Sequence, residues 1–387
     1  MLLWLVCFGV AIPVGVLALE CFVGTPAGRG AESSAAPPFM VLMPAHDEAA
    51  GIGRSVADVL AQLRPCDRLL VVADNCADDT AAIARRLGAW VIERHDPTLR
   101  GKSHALEYGR AFMTREPFWR SAGPAVVLIV DADCSPEPGA LARLAAASAA
   151  RGSVVQGAYL LVPPPGATPV VRMSCFAFMV KNLVRQIALR RLTGAALLQG
   201  SGMAFPVAIF EGINWSDDSL VEDLDMGLRL LLAGTHVTFE ERVTFLSGAS
   251  SQGGTAGQRR RWEHGMMQSM RIFVPRLLWA ALSGRPRLIF LALDQIVPPT
   301  VLLLLIAAVT TCAGVIVGGL ATPVLLLLAC DLALAAGLLA AWLRHGRGLL
   351  PARDIGACVR YIIWKLPIFA QFVTRRQRQW VRTERAP

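Results

Sequence analysis

Charge is what this sequence is short of. Asp, Glu, Lys and Arg make up 17% of its 387 residues, against about 25% in an average soluble domain. So few charged groups cannot coat a water-facing surface, which excludes a wholly soluble or disordered chain and places part of it in a bilayer. C-x-x-C spacing is also missing. The nine cysteines are odd in number, and several sit in apolar runs, which excludes a disulfide framework or a zinc site and agrees with a reducing compartment. Neither G-x-x-x-x-G-K-[ST] nor G-x-G-x-x-G follows the first strand-like segment, so the P-loop and dinucleotide-binding folds lose their chief support. No Lys or Arg precedes the apolar run at residues 2–19. The basic start of a secretory signal is therefore lacking, and an uncleaved anchor over residues 1–24 is expected.

What is present is sorted along the chain. Residues 25–38 are rich in Gly, Ser, Ala and Pro and read as a linker. Residues 39–274 mix charged and apolar residues as a globular body does, and residues 275–294 read as interfacial helices with Trp279, Arg285 and Arg287 suited to headgroups. Across residues 295–343 the single acid or base is Asp331. That stretch is too long for one pass of about 20 residues and fits two, joined near Gly318 and Pro323. Residues 344–387 carry ten Lys and Arg against two acids, which leaves only +1 of the formal +9 for the rest of the chain. A basic tail after an apolar double span follows the positive-inside bias and touches anionic lipid. Membrane lipids, not nucleic acid, are the expected partner. The expected location is the inner (plasma) membrane, multi-pass, with the body in the cytoplasm.

Within the body, apolar strand-like runs at residues 39–43, 68–73, 89–92 and 125–130 alternate with helical periodicities at 52–63, 79–87 and 101–113. Strands of continuous apolar character separated by single helices predict a doubly wound α/β sheet, with ligands at the carboxyl ends of its strands. Those ends are acidic: His46-Asp47-Glu48, Asp74 with Asp78 and Asp79, and Asp131-Ala132-Asp133. Taken singly, each could be ordinary helix caps. Three at one edge repel unless a cation or donor groups sit among them. Asp131 and Asp133, one residue apart, can hold Mg2+ or Mn2+ with positions left for phosphate oxygens. Lys102 opens a helix whose N-terminus could seat a phosphate.

In order the chain carries VLMPAHDE (41–48), VVADNCADDT (71–80), RGKSHAL (100–106), VDADC (130–134), QGSGMAF (199–205), VEDLD (221–225) and QRRRW (258–262). On these it resembles the family 2 glycosyltransferases, inverting enzymes of the GT-A fold, and the membrane-bound branch that includes cellulose and hyaluronan synthases. The resemblance implies a GT-A mixed sheet domain with N-terminal and C-terminal transmembrane helices. It implies that Ala45, Glu48 and Asp74 hold the nucleotide's base and ribose, with Asp74 accepting from a uracil imide, and that Lys102, Asp131 and Arg261 contact the nucleotide. Asp131 and Asp133 match the metal pair, and Asp223 matches the general base that takes the acceptor's proton. Gly200, Ser201, Glu222, Gln258 and Trp262 fall where the acceptor is received.

Two departures stand out. Ala73 replaces an Asp that many relatives carry, and three spans are fewer than the polymer synthases use for a secretion channel. The expected activity is metal-dependent hexosyl transfer from a nucleotide-diphosphate sugar, UDP-linked, to a lipid-linked or saccharide acceptor in exopolysaccharide or cell-envelope glycan synthesis. Open beside it stand a processive synthase working as an oligomer, a catalytically silent scaffold of a polysaccharide-assembly complex, and a metal-dependent hydrolase of nucleotide sugars.

Overall fold

Alternating side chains of the central strands are buried on both faces, so the sheet must be covered twice. The computed structural model describes residues 1–25, 35–116, 119, 123–215, 219–249 and 252–374. The strands are β1 (Phe39–Ala45), β2 (Arg68–Asp74), β3 (Trp90–Arg94), β4 (Val126–Ile129), β5 (Cys134–Pro136), β6 (Val154–Val162), β7 (Met203–Pro206) and β8 (Val237–Gly248). They form one sheet in the order β3-β2-β1-β4-β7-β6-β8-β5. The β3-β2-β1-β4 half is parallel, β7 runs antiparallel to both β4 and β6, and β6 pairs in parallel with β8. The parallel half agrees with the reading of the sequence, while β7 makes the whole a mixed sheet.

Met40, Leu42, Leu70, Val72, Val127 and Ile129 face one core with α4 (Lys102–Met113). Phe39, Val41, Met43, Leu69, Val71 and Leu128 face the other with α2 (Ile52–Leu60) and α5 (Ala140–Arg151). Between β2 and β3 lies α3 (Thr80–Arg86). After β6 a long helix runs as α6 (Pro169–Met179), a π-turn (Val180–Val184) and α7 (Arg185–Thr193). The body closes with α8 (Val207–Gly212) and α9 (Glu222–Leu232).

Helix α10 runs from Gln252 to Leu282 with Pro275 inside it, so the boundary expected at 274/275 falls within one helix. It is followed by α11 (Leu288–Ile296), α12 (Thr300–Gly318), α13 (Thr322–Ala341) and α14 (Cys358–Thr374). The N-terminal α1 (Leu2–Gly24), the α12 segment and the α13 segment are each long and apolar enough to cross a membrane. Most of the expected linker (26–34) and the end of the basic tail (375–387) lie outside the described residues.

Helix α1 does not stand apart from the body. Val14, Leu17 and Cys21 share a core with Met179, Val180 and Val184 of the long helix and with Leu334 of α13. Gly337 of α13 permits the close approach, since a Cβ there would stand 2.8 Å from Cys21 Cβ. At the end of α1 a buried guanidinium joins three elements. Arg185 donates to Glu20 at 2.9 Å and to the Asp294 carboxylate of α11 at 2.6 Å.

Candidate active site

Strand ends converge on a cavity of about 250 Å³. Its first wall is the loops after β1 and β2. Asp47 and Asn75 both take left-handed φ, 52° and 51°, an uncommon conformation for residues with side chains. The loops are tied to each other. Ala77 N–H donates to Asp47 Oδ1 at 2.6 Å, Ala49 N–H to Asp78 Oδ2 at 3.0 Å, and Glu48 N–H to Thr80 Oγ1 at 2.7 Å. Asp47 and Asp78 therefore serve as loop ties, the ordinary capping role. Asp74 lines the cavity with Ala45 and Glu48. Its Oδ1 already accepts from Arg94 Nη1 at 2.6 Å and Asn75 Nδ2 at 3.1 Å, so the carboxylate is held in one orientation.

The second wall is charged. Lys102, at the start of α4, pairs with Asp131 and donates to the Gly200 carbonyl at 2.6 Å. Burial opposes the Lys102 charge, but Asp131, Glu222 and Asp223 outweigh it and raise its pKa. Asp131 is itself raised, first by burial and then, against the pull of Lys102, by Asp133. Asp133 Oδ2 accepts from Ser247 Oγ at 2.8 Å. Carboxylate atoms of Asp131 and Asp133 lie within 4.8 Å of each other and of Cys134 Sγ. The buried Cys134 thiol is held well above its usual pKa, which leaves the two carboxylates as the practical ligands. Asp131, raised by burial and by the neighbouring Asp133, fits a divalent cation shared by the two carboxylates, which would relieve that repulsion.

Ser201 departs from the sequence expectation. It is fully buried, outside the cavity lining, and its Oγ accepts from Asp131 N–H at 3.1 Å. Its hydroxyl steadies the Asp131 turn, so it cannot face an acceptor. Gly200 does line the cavity, with φ 93°. A Cβ there would lie 2.9 Å from Asp223 Oδ2, so glycine leaves the approach to that carboxylate open. A buried amide network holds this loop. Gln156 Nε2 donates to Ser201 O at 2.7 Å, Gln199 N–H to Gln156 Oε1 at 2.8 Å, and Gln199 Nε2 to Asn182 O at 2.9 Å.

Glu222 and Asp223 occupy the first turn of α9 and line the cavity. Burial, then the neighbouring Asp223, pushes Glu222 up to about 7. Gln258, Arg261 and Trp262 reach the cavity from α10. The three consecutive arginines there part company. Arg261 lines the cavity, Arg260 points outward to Gln371, and Arg259 is buried against Ser174. Trp262 stacks on Phe178 with centroids 5.4 Å apart, Tyr159 meets Phe178 edge-on, and the Arg259 guanidinium lies 5.1 Å from the Phe178 and Trp262 rings. This is an aromatic wall backed by a cation.

Of the site residues expected from the sequence, all but Ser201 line one cavity, and Ser201 lies in the loop beside it. The structure adds Lys181, Arg185 and Asp294, which line the same space. Their one signal in the sequence is that Lys181 is the single charged residue between Arg172 and Arg185, a costly position in an apolar helix. The arrangement can hold a cation, a phosphorylated ligand and a planar or sugar ring, with a carboxylate pair placed to take a proton.

A family model described as "Glycosyltransferase like family 2" matches residues 37–265. The chain belongs to this family. The chain is 27% identical over 250 residues to the probable glycosyltransferase YdaM of Bacillus subtilis (strain 168), covering 59% of this chain and 55% of that protein. It therefore spans about half the length of that curated relative. Among solved structures it is similar to the mannosyltransferase PcManGT from Pyrobaculum calidifontis, in complex with GDP-Man and Mn2+. The TM-score is 0.56 at 20% identity, covering 90% of this chain and 99% of that one. The mixed sheet of the chain is of the GT-A type.

Proposed function

We propose that this glycosyltransferase is a membrane-bound, inverting hexosyltransferase of the branch that includes cellulose and hyaluronan synthases. It moves a sugar from a nucleotide-diphosphate donor, UDP-linked, to a lipid-linked or saccharide acceptor in cell-envelope glycan synthesis. The observation that carries this reading is the meeting of Lys102, the Asp131/Asp133 pair and the Glu222–Asp223 pair in one cavity. Bare apolar side chains on α12, such as Ile316 (85% exposed) and Val317 (80%), support a bilayer setting. The basic tail supports a cytoplasmic body at the inner membrane.

Asp131 and Asp133 would hold Mg2+ or Mn2+, which when bound neutralises charge on the leaving diphosphate. Lys102 and Arg261 add fixed positive charge toward the same group. Ala45, Glu48 and Asp74 seat the base and ribose. Gly200, Gln258 and Trp262 present the acceptor, whose sugar packs on the aromatic wall. Asp223 takes the proton of the attacking hydroxyl as that oxygen approaches the anomeric carbon from the face opposite the diphosphate. An α-configured donor then gives a β-linkage.

The purified full chain, assayed with Mn2+ and a panel of UDP- and GDP-sugars, tests the reading. Asp223→Asn should lower turnover about 10²- to 10⁴-fold, as loss of a general base does, with donor binding kept. Asp133→Ala should remove metal-dependent donor binding. Full transfer by both variants overturns the assignment.

A further inference from the structure

The cavity runs past the catalytic acids to an end that sequence motifs do not cover. Its wall there comes from the π-turn and from residues just ahead of the α12 span, including Val297, Pro298 and Pro299. Met266 and Met270 of α10 complete it. Lys181, from the π-turn, lines the same cavity. Every nearby buried cation has an acid or hydrogen-bond partner: Arg185 has Glu20 and Asp294, Arg259 has Ser174, and Lys102 has Asp131. Lys181 makes no hydrogen bond or ion pair with any described residue. Burial pulls its pKa down to about 8. Asp223 and Asp294 act against that pull, and Arg185 and Arg259 reinforce it. The charge felt most strongly by the ammonium is Asp223, but no carboxylate among the described residues lies within ion-pair distance of it. A π-turn places it there, and such turns occur frequently at functional sites.

We infer that Lys181 is an acceptor subsite for the phosphate of an amphiphile, whose hydrocarbon chain leaves between Met266, Met270 and Pro298 toward the span. This rests on the glycosyltransferase reading above and narrows its acceptor to a lipid-linked phosphate. A lysine is a point-charge phosphate binder, and methionines fit irregular chains. The donor's diphosphate is served elsewhere, by Lys102, Arg261 and the Asp131/Asp133 pair, so Lys181 is left for the second substrate.

The test uses the full chain in neutral detergent and three probes: farnesyl phosphate, farnesol and inorganic phosphate. Farnesyl phosphate should compete with acceptor, or stabilise the protein against heat, at concentrations at least about tenfold below those needed for farnesol. Lys181→Met should erase that difference and Lys181→Arg should restore most of it. Thermal stabilisation by UDP-sugar with Mn2+ reports that each variant is folded with its donor site intact. If Lys181→Met discriminates as the parent does while donor still binds, the inference falls and the transferase reading stands. If inorganic phosphate competes as well as farnesyl phosphate, the site serves a free phosphate and the lipid assignment falls. If no nucleotide sugar stabilises the parent protein, the transferase reading fails first, and this inference with it.

Discussion

Below about pH 7 the Glu222 carboxyl keeps its proton, because burial and Asp223 both oppose its charge. Above that pH Glu222 adds a negative charge beside Asp223. On the mechanism proposed above, that added charge makes Asp223 the stronger base, so the transfer rate should rise as pH passes upward through about 7. The proton belongs to the pair, as in any strongly coupled couple. Glu222→Gln fixes the neutral form, so its profile should lose that rise and its rate at pH 8 should fall to the parent's rate near pH 6. A profile of kcat against pH for both proteins checks this. At this scale the acids after β1, β2 and β4 could be read in advance because they follow apolar runs in sequence. That Asp47 and Asp78 tie two loops together, while Asp131 meets Lys102, depends on which loops touch, and one chain of letters does not carry that. Ser201 shows the same limit, since its hydroxyl faces backbone.

Which side of helix α14 turns inward is not written in its sequence. Of its two charged residues Arg360 is exposed, while Lys365 turns inward. Lys365 is 5% exposed and pairs with Glu263 of α10, while Val359 (64% exposed) and Ile363 (60%) face out. Apolar side chains outward suit the acyl boundary of a bilayer. The pair is supported by Lys365 over the Tyr361 ring at 5.2 Å and by His264 Nε2 against the Ile368 carbonyl at 3.1 Å. Helix α14 thereby clamps the helix that carries Gln258, Arg261 and Trp262. Removing one partner strands a buried charge, so Lys365→Ala should cost about 3–5 kcal/mol, whereas a well-packed apolar pair is often neutral. Melting in detergent should therefore show a marked fall for Lys365→Ala and recovery in the double variant Lys365→Met with Glu263→Leu. Equal losses in both would mean that the clamp depends on more than this pair.

Across the whole molecule, spans and body were legible as separate stretches, from apolar length and from strand and helix periods. Their union was not. Beside the apolar core that α1 shares with the body, it is pinned by Arg185, whose partners Glu20 and Asp294 lie 165 residues before and 109 residues after it. No local pattern connects positions so far apart. Glu20→Ala leaves the guanidinium half-matched and should lower stability by about 3–5 kcal/mol, read as a fall in detergent melting temperature. An unchanged melting point would mean that Arg185 is satisfied by Asp294 alone.

The same bridge sets a clock on biogenesis. A ribosome adds about 5–20 residues per second, so the 165 positions separating Glu20 from Arg185 take about 8–33 s to synthesise. Throughout that interval the first helix exists without the guanidinium its carboxylate is built to meet. The emerging chain therefore needs either a neutral Glu20 or a temporary host for it, and assembly of body onto anchor waits on the arrival of a single arginine.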